Sequence, residues 1–153
     1  MLLSHVSDSL DALTEGLVQG RVELLPDASA DLPAEPFGMR LRCAALLAVI
    51  PADNSDRVIA IGDGGLPDNV LACTGAIEVA VHGWDISAAC GRPQPIPASL
   101  ASALLPAARI LLPGGARAGL FAQAVAPPPL AAEGDTLLAF LGRSASPVPL
   151  PQE

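Results

Sequence analysis

The chain has 153 residues, and its 16 acidic side chains outnumber 8 basic ones, all arginine, for a formal charge of −8; this excludes the positive surface that nucleic-acid phosphates require. Apolar residues make up 51% but aromatics only 3%, so the core must be assembled from Leu, Ala, Val and Ile, a composition that favours packed helices. No apolar run is long enough to cross a bilayer, since the longest, 98–113, is interrupted by Pro106 and Arg109.

The first residues have no basic lead and reach Asp8 and Asp11 at once, unlike a secretory signal; a cytoplasmic protein is the expectation. The length suits one domain, read here as 1–143 with a flexible tail over 144–153. Cys43, Cys73 and Cys90 are odd in number and widely spaced, which gives neither a disulfide framework nor a zinc-ribbon pattern; all three read as small core residues.

Leu3, Val6, Leu10, Leu13 and Leu17 recur in steps of three and four and predict an amphipathic helix ending at Gly20, with Asp8, Asp11 and Glu15 on or near its solvent side. His5 borders the apolar stripe, where an imidazole serves either as a core hydrogen-bonding group or as a ligand. Residues 25–36, with three prolines, read as an irregular connection. A second helix is expected from Phe37 to Ile50, broken by Pro51, with Arg40 and Arg42 as its polar edge. Val58–Ile61 is a short extended run ahead of Gly62-Asp63-Gly64-Gly65. A dinucleotide loop there is disfavoured, because Pro67 takes the place of the last glycine and no βαβ pattern surrounds it.

A third helix runs from about Asp68 to Cys90, closed by Gly91 and Pro93. At 3.6 residues per turn, Glu78, His82 and Asp85 share one face within about 60°. Ile77 and Val81 flank that face on one side and Val79 and Ile86 on the other, which points the polar strip inward. Glu and His four apart can converge on one divalent metal, or can form a hydrogen-bonded pair that joins helices. Asp85 can orient His82 or pair with an arginine. Trp84 points away from Glu78 and suits a core or interface anchor; Gly83 within the helix suggests that something packs close to it. A fourth helix opens at Pro97-Ala98-Ser99, with Leu100, Leu104, Leu105, Ala108, Leu111 and Leu112 buried. After an extended, proline-rich stretch over 124–129, a last short helix, 133–141, turns Leu137, Leu138 and Leu141 inward.

The block Glu78-Val-Ala-Val-His82-Gly-Trp84-Asp85, followed by Cys90-Gly91-Arg92-Pro93, resembles the metal-binding domain of mycothiol-dependent maleylpyruvate isomerases and their actinobacterial relatives in the DinB-like superfamily. Leu2-Leu3-Ser4-His5-Val6 matches the context of that family's first ligand, and 121–143 looks like its C-terminal segment, so the resemblance covers nearly the whole chain. It implies an all-α, DinB-like helical bundle that holds a divalent metal, zinc by preference, through His5, Glu78 and His82. Two imidazoles and a carboxylate leave a position open for water, a small-molecule substrate or a thiol.

The implied function is a metal-assisted, thiol-dependent transferase or isomerase acting on a small electrophile, with mycothiol or another low-molecular-weight thiol as cofactor. A non-catalytic metal- or ligand-binding or dimerisation module of the same fold is the alternative, and a purely structural helical domain a third. Family members carry a further helix ahead of the Leu-Leu-x-His motif. The resemblance therefore implies an N-terminally truncated bundle whose apolar groove is filled either by residues encoded upstream or by a second subunit in a homodimer.

Overall fold

Five helices and three short strands make up the computed structural model, which describes residues 2–23, 36–50, 57–113 and 122–144. In chain order these are α1 (Leu2–Gln19), β1 (Arg21–Val22), α2 (Pro36–Val49), β2 (Val58–Ile61), β3 (Gly64–Pro67), α3 (Asp68–Ala89), α4 (Ala98–Leu111) and α5 (Glu133–Phe140). The chain is mostly helical, as expected, and the extended run near 58–61 belongs to a three-stranded sheet that periodicity did not reveal. The tail from 145 onward and the connection over 24–35 lie outside the described residues. Two compact units are present, Met1–Val79 and Ala80–Glu153, and the division falls inside α3.

In the first unit, α1 buries Val6, Leu10, Leu13 and Leu17, the stripe its spacing predicts, together with Leu46 of α2, Ile59 of β2 and Leu71 of α3. Gly20, at φ 78°, ends α1, and the Arg57 guanidinium donates to the Gly16 and Leu17 carbonyls at that end. β2 pairs in parallel with β1 and antiparallel with β3. Its side chains alternate, with Ile59 fully buried while Val58 and Ala60 face outward.

The parallel pairing of β1 with β2 across α2 is a β-α-β connection, which corrects the expectation that none is present. The dinucleotide reading is not revived by it. Gly62, at φ 54°, opens a two-residue hairpin turn into β3, so the glycines do not lead directly into a helix.

Arg42 also departs from expectation. The predicted polar edge does not face solvent at this residue: it is 4% exposed and its Nε donates to both carboxylate oxygens of Asp11, at 3.0 and 2.8 Å. The outward face of α2 is apolar instead: Phe37, Leu41, Ala44 and Ala48, at helical steps of four, three and four, are all exposed.

Two glycines let α1 and α3 approach closely. A Cβ on Gly16 would lie 2.8 Å from Leu71, 2.9 Å from Val22 and 3.3 Å from Ile59, and one on Gly75 would lie 2.6 Å from Leu13. Gly16→Val is therefore expected to overpack three side chains at once and to lower stability by about 1–3 kcal/mol in denaturant unfolding; an unchanged midpoint would contradict this packing.

In the second unit, Ala101, Leu104 and Ala108 of α4 and Leu137, Leu138 and Ala139 of α5 are buried, with Ile96 and Leu141 beside them in the core. Leu100, expected inside, is 40% exposed, because the contact face of α4 follows the small residues Ala101 and Ala108 rather than its neighbour. The proline-rich stretch, expected to be extended, forms neither helix nor strand and is tied to α5 by the Val125 N–H, which donates to the Ala139 carbonyl. α3 and α5 end alike: Gly91 (φ 71°) and Gly142 (φ 80°) adopt the left-handed conformation. The paired bonds Gly91 N to Ala88 O with Arg92 N to Ser87 O, and Gly142 N to Ala139 O with Arg143 N to Leu138 O, form a Schellman cap at each end.

Candidate metal centre

The contacts of Gly16 with Leu71 and of Gly75 with Leu13 set an antiparallel register, in which a step back along α1 is matched by a step forward along α3. This register lays the start of α1 alongside the part of α3 that follows Gly75, where Glu78 stands. His5 Nε2 lies 3.5 Å from Glu78 Oε2. His82 follows one helical turn after Glu78 on the unbroken α3. One ligand atom from each of His5, Glu78 and His82 falls within 4.8 Å of the others, a grouping able to hold a metal ion.

Exposure is graded across the three: the His5 side chain is 59% exposed, Glu78 20% and His82 11%. Ile77 and Val81 are buried beside the pair as predicted, whereas Val79, assigned to the opposite flank, is 39% exposed. The polar strip is thus sheltered on one side and open to solvent at His5.

Asp85 performs both of the roles its position allowed. Its Oδ2 lies 2.9 Å from His82 Nδ1 and 2.9 Å from Arg143 NH2, and its Oδ1 accepts from Arg143 Nε at 3.3 Å. A carboxylate on Nδ1 favours the tautomer protonated there, which makes Nε2 the ring atom that a metal would take. Arg143 carried no sequence signal for this place; it is 58 residues from Asp85 and reaches it only through tertiary structure.

The remaining expectations around the site divide. Trp84 is half-buried, as an anchor would be. Gly83 is exposed, and among the described residues nothing lies within 4 Å of a Cβ built there, so close packing does not account for this glycine. Cys43 and Cys73 are partly buried, but Cys90 is exposed, because it sits in the turn that closes α3; it is not a core residue.

The donor set fits a borderline divalent ion. Donors each about 2.1 Å from a tetrahedral zinc stand about 3.4 Å apart. The set therefore closes on an ion with a shift of up to about 1.4 Å, most easily made by the exposed His5. Comparison with known proteins adds nothing to this geometry: no family model, curated protein or solved structure matches the chain.

Proposed function

We propose that the protein binds a divalent metal, zinc by preference, through His5, Glu78 and His82, and uses it in thiol-dependent transfer or isomerisation of a small electrophile. The convergence of the three ligand atoms within 4.8 Å supports this reading above all else. It accords with the resemblance of the Glu78–Asp85 block to the DinB-like isomerases that use mycothiol. When bound, such an ion lowers the pKa of a coordinated thiol so that thiolate is present at neutral pH.

The chain's own residues do the rest. Glu78 supplies the negative charge that draws in the cation. Asp85 holds the His82 ring in place, and the open side at His5 admits a small ligand. The zinc-loaded protein is expected to accelerate conjugation of mycothiol to a chromogenic aryl halide, with the rate lost in His82→Ala. Metal binding without any thiol conjugation would remove the catalytic part of the proposal.

The outward apolar face of α2 favours a second reading, a dimerisation module. Phe37 is 66% exposed and Leu41 42%, and a contiguous patch of this kind marks a partner site. Sedimentation equilibrium is expected to show a homodimer that Leu41→Asp converts to monomer; a monomeric wild type would dismiss that reading.

A further inference from the structure

We infer that Arg143 is a positioning residue for the metal centre, acting on His82 through Asp85; the inference rests on the proposed site and adds the device that sets its geometry. The starting point is the end of α5. Gly142 takes φ 80°, and a Cβ there would also lie 2.7 Å from the Ala122 Cβ, so glycine is required on two counts. The Schellman cap it makes places the Arg143 backbone N–H on the Leu138 carbonyl at 2.8 Å. NH1 of the same arginine donates to the Leu141 carbonyl at 2.8 Å. The guanidinium is thereby gripped from its own helix end, and Nε and NH2 are both turned to Asp85.

A carboxylate held at both oxygens by one planar fork cannot swing about its own χ2 without breaking a charge-assisted bond. Asp85 Oδ2 consequently stays on His82 Nδ1 at 2.9 Å. The side chains of His82, Asp85 and Arg143 are 11%, 19% and 20% exposed, so water competes weakly for these bonds. The order of a residue 61 positions beyond His82 is in this way written into which imidazole nitrogen is offered to a metal.

The chain contains two histidines, which makes the test direct. In the metal-free protein, at a pH where the rings are neutral, 15N spectra of His82 are expected to show one tautomer, protonated at Nδ1. In Arg143→Met and in the isosteric Asp85→Asn, the signals move toward a tautomer mixture. Zinc titration of the same proteins is expected to weaken about 10–100-fold in Asp85→Asn and about tenfold in Arg143→Met, the range for loss of an outer partner of a metal-bound His. Arg143→Lys, which keeps the charge without the fork, is expected to fall between wild type and Arg143→Met. In the Asp85→Asn background, Arg143→Met is expected to change nothing further.

A melting temperature that falls in Arg143→Met while the His82 tautomer and the zinc affinity stay at wild-type values would overturn the inference and leave the arginine a structural clasp. A wild type with the single tautomer but no zinc binding would instead overturn the metal reading. The coupling of Arg143 to His82 would then stand by itself.

Discussion

Substitution of His82 by alanine is expected to abolish stoichiometric zinc binding, weakening affinity by more than the roughly 10–100-fold that follows loss of an outer partner. His82 is the least exposed of the three donors, at 11%, and its ring is held by a carboxylate with an arginine behind it. Glu78→Gln is expected to act nearly as strongly, because it removes the formal negative charge from the donor set. His5→Ala is expected to act less, since a donor 59% exposed near the first turn of α1 contributes a less ordered ligand.

Thermal unfolding offers an independent readout. With free zinc a hundredfold above its dissociation constant, the wild type gains about 2.7 kcal/mol. That corresponds to about 5–11 °C for a chain of this size, and the gain is expected to vanish in His82→Ala. A zinc-induced shift of equal size in the variant would show that the ion binds elsewhere.

Asp11→Ala is expected to be the most damaging single substitution away from the site. Arg42 is 4% exposed, and Asp11 accepts two bonds from its Nε. Removal of the carboxylate takes two charge-assisted contacts away from a buried guanidinium. Breaking a fully buried pair costs about 3–5 kcal/mol; with the Asp11 side chain 37% exposed, the expected loss is about 2–4 kcal/mol, or a fall of about 4–16 °C in melting temperature. The double variant Asp11→Leu with Arg42→Met is expected to recover most of it, because an apolar pair of similar volume needs no desolvation of charge. A double variant as unstable as the single one would assign the effect to packing of α1 on α2 rather than to charge.

These same residues show what a one-dimensional reading can and cannot reach. The helices were legible because their signals are local. Val6, Leu10, Leu13 and Leu17 repeat at helical steps, Gly20, Gly91 and Pro113 punctuate the ends, and Glu78 with His82 is a spacing within one helix. The pairing of Arg42 with Asp11 spans 31 positions and that of Arg143 with Asp85 spans 58. Such contacts depend on how helices pack, and periodicity inside one helix carries no trace of them.

The strands were obscure for another reason. Arg21–Val22 and Gly64–Pro67 are two and four residues long, too short or too glycine-rich to alternate, and only the apolar run Val58–Ile61 gave a sign of extended structure. Leu100 misled because the small Ala101, fully buried, gives a closer helix contact than a leucine does, an effect that hydrophobicity counting ranks the wrong way. The position of His5 opposite Glu78 follows from the close approach of α1 to α3 at Gly16 and Gly75, two glycines whose importance appears only when the helices are side by side.

X-ray absorption at the zinc edge of protein loaded with one equivalent tests the central claim most directly. The predicted spectrum has only nitrogen and oxygen neighbours at about 2.0–2.2 Å, with the outer-shell scattering of two imidazoles. A sulfur shell at about 2.3 Å, which would bring Cys43, Cys73 or Cys90 into the coordination sphere, or the absence of imidazole scattering, would contradict a metal held by His5, Glu78 and His82.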